Sequence, residues 1–233
     1  MKIFKRVLII ILIACILVCG IIILNGYKMY KDAINEISLQ DKVNEIRNDE
    51  NYVQIADISK QYQDAVIAVE DHRFREHNGI DIIALGRAVI NNIKEFSLVE
   101  GGSTITQQLA KNMYFSQKKE FTRKVAEVFM AFDLEKNYNK DEILELYLNT
   151  IYFGDGYYGI RSASLGYFDK EPKDLTLYES TILAGIPNAP SVYSLSANPD
   201  LAKKRQEKVI NSMLENNMIT AEEANEVLEQ QNE

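Results

Sequence analysis

The sequence predicts a mainly α-helical domain preceded by a single N-terminal transmembrane helix. Three observations carry that prediction. Residues 7–24 form an apolar run without a charge. Further on, Thr104-x-x-Gln107, Asn139-x-x-Glu142, Thr176-x-x-Glu179 and Thr220-x-x-Glu223 each place a capping-box signature ahead of apolar residues in a helical period. Strand signals are weak throughout.

The apolar run, VLIIILIACILVCGIIIL, is 18 residues long. As a helix it spans ~27 Å, close to the ~30 Å of a bilayer's hydrocarbon core. Lys2, Lys5 and Arg6 precede it, and Lys28 and Lys31 follow. The leading basic cluster favours a cytoplasmic N-terminus, with the rest of the chain outside. Leu12-Ile13-Ala14-Cys15 resembles a lipoprotein cleavage box. Nine more residues, apolar apart from one glycine, follow it before any polar residue. A processed lipoprotein has no need of them, so the run reads as an uncleaved anchor over residues 1–26.

Residues 27–57 are polar, with spaced apolar positions at Ile34, Ile37, Val43, Ile46, Val53 and Ile55. They read as a stalk. A single domain is expected over 58–233. Its first helix carries Tyr62, Ala65, Val66, Ile67 and Val69 and ends at Glu70. Asp81 is placed to cap a helix through Ile82, Leu85, Val89 and Ile93. Gly101-Gly102 makes a turn before the first capping box. Asn198-Pro199 sets a cap residue ahead of a proline at the first helical position.

Composition narrows the function. The 233 residues carry 34 acidic and 26 basic side chains, a net charge of −8. A general nucleic-acid binder needs a broad basic surface, so that class is excluded. The two cysteines, Cys15 and Cys19, both lie in the apolar run, which leaves no disulfide framework and no Cys-based zinc site. The two histidines, His72 and His77, exclude a multi-His metal centre.

Three segments concentrate chemistry. Residues 70–79, EDHRFREHNG, leave an apolar helix for a turn. A carboxylate at such an edge is partly desolvated and therefore more basic. Alone, the segment also reads as a solvated loop of mixed charge. Residues 101–111, GGSTITQQLAK, lead glycines into a helix N-terminus. Ser103, Thr104, Gln107 and Gln108 supply neutral donors and Lys111 a charge, a pattern suited to an anion. An ordinary well-capped helix would share the glycines. The spacing is not that of a Walker loop. From Lys111 to Lys124 there are five basic residues and one acidic one. That contrast with an acidic chain points to an anionic ligand. Arg123 and Lys124 lie four and three residues before Glu127, which puts cations beside a carboxylate on one helix face. A surface ion-pair ladder has the same spacing. Ser116-x-x-Lys119 and Ser196-x-Asn198 match two elements of a penicillin-binding acyl site, but no Lys-Thr-Gly follows, and both are read as chance.

Taken in order, these segments resemble the family 51 glycosyltransferases, the peptidoglycan polymerases found alone or as the N-terminal half of class A penicillin-binding proteins. The motifs are EDHRFREHNG at 70–79, GGSTITQQLAKN at 101–112, RKVAE at 123–127, KDEILELYLN at 140–149 and IYFGDGYYGIRSASLGYF at 151–168. The resemblance covers about Ala65 to Ser194 and is closest to a monofunctional form. It implies a lysozyme-like fold with a membrane-facing smaller lobe, and lipid II as substrate. It also implies inverting transfer of a lipid-linked chain to an acceptor 4-hydroxyl, with release of undecaprenyl diphosphate. Glu70 aligns with the family's general base and Glu127 with its second essential glutamate. By that alignment Glu127 orients the donor, or binds a divalent cation, Mg²⁺ or Mn²⁺, that bridges the diphosphate. Lys111, Arg123 and Lys124 would meet the leaving diphosphate. Asp71, Phe74, His77, Ser103, Thr104, Gln107, Gln108 and Asn149 would complete the substrate site. Met113, Tyr114, Phe115 and Phe121, mixed with lysines, would dip into the membrane interface. The expected setting is the cell membrane, single-pass, with the domain on the extracytoplasmic face and a separate transpeptidase as partner. Two rivals are a lysozyme-like lytic transglycosylase, which needs no diphosphate site, and a non-catalytic division scaffold.

Overall fold

In a computed structural model, the structure describes residues 2–94, 101–115 and 120–231. It begins with α1, Lys2–Glu36, which is 35 residues long. Apart from the half-buried Ile22, its large apolar side chains from Phe4 to Leu24 are exposed, and Phe4–Glu36 is long and apolar enough to cross a membrane. The helix does not break where the anchor was expected to end at residue 26. It runs on through the first part of the expected stalk and packs on α6, Phe121–Asn137. Gly26 makes this possible. A Cβ there would approach Val125 Cγ1 to 2.6 Å and the Thr122 carbonyl oxygen to 2.9 Å. Tyr27 and Tyr30 pack on Phe129 with ring centroids at 5.1 and 5.8 Å, and the Tyr30 hydroxyl donates to Asp133.

The rest of the expected stalk is docked as well. Helix α2, Leu39–Arg47, is capped by Ser38, whose Oγ accepts from the Asp41 amide at 3.1 Å, and it buries Val43. Beyond it the backbone at Val53 is held by Asn149, and the Ile55 amide donates to Glu145 at 2.7 Å.

Helix α3, Lys60–Glu70, buries Tyr62, Ala65, Val66 and Ile67 and ends at Glu70, where the motif carboxylates begin. Asp81 opens α4, Ile82–Lys94. Its Oδ1 accepts from the amides of Ile83 at 2.9 Å and Ala84 at 3.0 Å. Three further helices start at expected boxes: α5, Ile105–Tyr114, at Thr104 with Gln107; α7, Lys140–Thr150, at Asn139 with Glu142; and α9, Leu177–Gly185, at Thr176 with Glu179. Between the last two lies α8, Gly159–Phe168. After α10, Pro190–Tyr193, comes α11, Pro199–Glu215. Its proline stands at the start as expected, but Asn198 makes no side-chain cap bond. The last helix, α12, Ala221–Gln230, opens at the Thr220–Glu223 box. No strand occurs among the described residues.

One apolar cluster runs through the domain, around Tyr62, Phe74, Ile105, Met130, Leu146, Phe153 and Leu183. Burying each such large side chain contributes roughly 1.5–3 kcal/mol. Helices α3, α9 and α11 pack on one another; α5 packs on α6 and α7. The end of α3 thus lies where these two groups of helices meet.

Candidate active site

A cavity of about 1050 Å³ opens at that junction. Its walls come from the end of α3, the turn after it, α4, the segment 101–104, α5, α6, Pro187-Asn188 and α11.

Glu70 stands at the cavity edge. Gln108 Nε2 donates to its Oε2 at 2.7 Å, and the Tyr147 hydroxyl donates to Gln108 Oε1 at 3.2 Å. Tyr147 and Tyr62 are fully buried behind it. Burial first, and the nearby Glu70 charge second, push both phenols well above their ordinary range, so both stay protonated. Tyr147 therefore remains a donor. That fixes which end of the Gln108 amide meets Glu70.

The second cluster is on α6. Glu127 is buried, with Arg123 Nη1 at 3.1 Å from its Oε1 and Lys124 Nζ at 2.8 Å from its Oε2. Lys124 also donates to Ser103 Oγ at 2.7 Å, which ties the glycine segment to α6. Lys111 lines the same space from α5. Burial lowers its pKa; Glu127 opposes that shift, while Arg123 and Lys124 add to it. The cluster therefore holds three cations and one carboxylate in a partly desolvated recess, an arrangement that binds a multiply charged anion.

Of the residues expected to bind substrate, the structure brings Asp71, Ser103, Thr104, Gln108, Lys111, Arg123 and Lys124 to the cavity with Glu70 and Glu127. Phe74, His77, Gln107 and Asn149 are placed elsewhere. Phe74 is fully buried in the core, with Lys140 Nζ 4.5 Å from its ring centre. His77 Nε2 meets the Asp71 carboxylate at 2.9 Å, and the same carboxylate accepts from the Ile105 amide at 3.0 Å. Asp71 thus lines the cavity while its carboxylate also holds His77 and the start of α5. Thr104 and Gln107 form the capping box, and Thr104 Oγ1 donates to the Gly79 carbonyl at 2.7 Å. Asn149 clamps Val53 with both ends of its amide, at 2.9 and 2.8 Å. Lys118 and Lys119, counted in the basic stretch, lie outside the described residues, as does Ser116.

Sequence reasoning did not find the other walls. His72, Arg87 and Asn91 approach from the turn and α4; Asn188, Arg205, Ser212, Glu215 and Asn216 come from the far side. The signal for the last group was available: Arg205 and Ser212 recur at helical spacing on α11, and Asn216 follows as its C-cap.

A divalent cation does not fit Glu127 as the residues stand. Both its oxygens already face cations, and no three His, Cys, Asp or Glu side chains converge among the described residues. A cation there would have to displace Arg123 or Lys124 and draw its other oxygen ligands from a bound diphosphate and water.

The model of the transglycosylase family matches residues 38–214. Penicillin-binding protein 1F of Bacillus subtilis (strain 168) is 52% identical over 172 residues, covering 74% of this chain and 24% of that protein. Penicillin-binding protein 1A of Neisseria lactamica is 47% identical over 180 residues, covering 77% of this chain and 23% of that protein. The crystal structure of penicillin-binding protein 1A from Haemophilus influenzae aligns with a TM-score of 0.46 at 26% identity, over 76% of this chain and 17% of that one. The chain spans about a quarter of the length of the curated relatives it matches. It belongs to the transglycosylase family, and its helical fold is the lysozyme-like one that the motifs imply.

Proposed function

We propose that this member of the transglycosylase family is a peptidoglycan glycosyltransferase that polymerises lipid II into β-1,4 glycan strands. One observation carries the reading. A single cavity holds a hydrogen-bonded carboxylate, Glu70, together with the Lys111–Arg123–Lys124–Glu127 recess.

Glu70 acts as general base. Its carboxylate accepts the proton of the acceptor's 4-hydroxyl as that oxygen attacks the donor's anomeric carbon. Attack from the face opposite the leaving group inverts the centre, which suits one base and an anionic leaving group. The bond to the diphosphate breaks and its electron pair stays on the diphosphate oxygen. Lys111, Arg123 and Lys124 meet that developing charge. Glu127 holds Arg123 and Lys124 in place for it. Lytic cleavage would need no such recess.

The substrate is carried on lipid, and the surface agrees with that. Ile82, Ile83, Leu85, Val89, Ile90 and Ile93 of α4 are exposed, and so is Phe121 at the start of α6. Together with α1 they form apolar surfaces that a bilayer would cover. The basic residues before the apolar run favour a cytoplasmic N-terminus, which supports a catalytic domain on the extracytoplasmic side. Cross-linking of the strands is assigned to a separate transpeptidase as partner.

The test is polymerisation of purified lipid II by the full-length, detergent-solubilised protein beside Glu70→Gln. Glycan chains are expected from the wild type, with a loss on the order of 10²–10⁴ in the variant. Equal rates in the two forms would remove Glu70 as base. Soluble muropeptides released from preformed cell wall, with no chains made from lipid II, would replace the reading by the lytic one.

A further inference from the structure

We propose that Tyr152 and Tyr158, an exposed aromatic pair on the loop between α7 and α8, form a second sugar-binding site that holds a hexosamine ring of the glycan strand outside the cavity. The proposal rests on the transferase reading above. It also accounts for the motif at 151–168, which contributes no wall of the cavity.

The two rings lie 4.6 Å apart between centroids and 33° from parallel, and their backbones pair as an antiparallel bridge. Tyr152 is 37% exposed and Tyr158 65%. Tyr152 covers one face of the Tyr158 ring, and the exposure of Tyr158 leaves the other face open. Tyr157 and Tyr167 of the same motif pack on the main apolar cluster, but Tyr152 and Tyr158 do not. Tyr158 stands at the N-cap of α8 and makes no side-chain cap bond. Its ring therefore serves neither the core nor the helix start.

The loop is built to hold the pair. Gly154, Asp155 and Gly156 follow one another at φ of 83°, 53° and 86°. Such a conformation is unfavourable for a non-glycine residue and persists only where its surroundings enforce it. Here they do. The Asp155 carboxylate accepts from the Ser194 hydroxyl at 2.9 Å, the Tyr167 hydroxyl at 2.7 Å and the Ser196 hydroxyl at 2.6 Å. A Cβ at Gly154 would approach Ser194 Cβ to 2.8 Å. The rings are thus fixed before a ligand arrives, which lowers the ordering cost of binding.

The chemistry of the pair selects a sugar. The face of a phenol ring is electron-rich. One face of a hexosamine ring is a patch of C–H bonds with hydroxyls around its rim. The two stack, and the phenol hydroxyl stays at the rim to meet the sugar's hydroxyls. The exposed area of the pair is about that of one tyrosine side chain, roughly 150–250 Å². That is enough to cover one sugar ring. It falls well short of the ~800 Å² that each partner gives to a standard protein interface. The exposed residues between the two tyrosines, Asp155 and Gly156, add no apolar surface.

Position points to the strand made in the cavity. A Cβ at Gly154 would come 3.0 Å from the Pro190 carbonyl oxygen. Pro190 is two residues beyond Asn188, which lines the cavity, and Tyr152 is two residues before Gly154. Two residues of chain span at most ~7 Å, so the pair lies within about 20 Å of the cavity wall. A strand of several sugars reaches from one to the other and gains affinity by touching both.

The experiment measures binding of glycan strands, freed of lipid and peptide, to the full-length, detergent-solubilised protein by calorimetric titration. The strands are long enough to span from the cavity to the pair. Tyr158→Ala is expected to weaken Kd about tenfold, with the thermal midpoint held. Tyr158→Phe keeps the ring and should bind within about twofold of the wild type. Equal affinity of the wild type and Tyr158→Ala would overturn the proposal. If Tyr158→Ala then also loses a transpeptidase that co-purifies with the wild type, the pair is a protein interface instead. Weaker binding by both variants, matched by a lower thermal midpoint in both, would overturn it as well, because a structural tyrosine gives that result. Binding needs no turnover. Strands held through Tyr158 by a protein that makes no chains from lipid II would fail the transferase reading and leave this site standing. Chains made by the wild type, with Kd for the strands unmoved in Tyr158→Ala, would do the reverse.

Discussion

Helices α6 and α4 both border the cavity, and they are built in opposite ways. Helix α6 buries Ala126, Glu127, Met130, Ala131 and Leu134 and is braced on its other flank by α1. Helix α4 buries only Ala88 and turns six large apolar side chains outward. The charged groups that must hold fixed geometry are on the helix that protein packing holds. Helix α4, whose apolar face is exposed among the described residues, carries no part of that ionic cluster. The contrast teaches that one wall is organised by protein packing, while the other carries an apolar face that the described residues leave exposed.

The largest effect should come from breaking the packed wall. Glu127→Gln leaves Arg123 and Lys124 beside a neutral amide, and polymerisation should fall on the order of 10²–10³. A variant within twofold of the wild type would mean that this wall does not organise the diphosphate site. The next effect is smaller because it acts through another side chain. Tyr147→Phe removes the hydroxyl that orients Gln108, so kcat should drop about tenfold while KM and the thermal midpoint hold. A shift in KM alone would assign Tyr147 to binding instead.

Lys111 sharpens the same contrast through pH. Burial lowers its pKa, with Arg123 and Lys124 adding to the effect and Glu127 opposing it. Its charge is therefore lost, as pH rises, before that of an ordinary lysine near 10.4. Diphosphate binding should weaken along that alkaline limb. Lys111→Arg keeps its charge, so the limb should move to higher pH. A limb that stays in place would belong to another group.

The smallest change is expected on α4. Ile90→Ser with Ile93→Ser alters exposed positions, so stability should stay within ~0.5 kcal/mol. In lipid vesicles KM for lipid II should nevertheless rise several-fold, and in detergent it should not. An equal rise in both media would show that α4 contacts the substrate rather than the bilayer.

Much of the fold was legible because its signals are local. Four capping boxes started helices where expected, since a helix's first amides must be satisfied by residues three positions apart. The transmembrane run was legible for the same reason. The stalk was not. Its apolar positions look sparse in sequence, but Tyr30 meets Asp133 and Val53 is held by Asn149, partners about 100 positions away. The candidate site divided in the same manner. Arg123, Lys124 and Glu127 sit one helical turn apart and met as their spacing implied. Phe74, His77 and Asn149 stand in motifs as prominent, yet they serve the core, Asp71 and Val53.

By itself, then, the sequence determined the membrane-spanning helix, the helical class, most helix starts and the cation–carboxylate face of α6. Each depends on hydrophobic length or on hydrogen bonds and charges within one turn. Only the tertiary structure decided which motif residues face the cavity. A carboxylate or guanidinium takes its role from the partners it meets across the fold. Asp71 meets the Ile105 amide, Glu70 meets Gln108, and Arg205 Nε is buried without a hydrogen-bond partner.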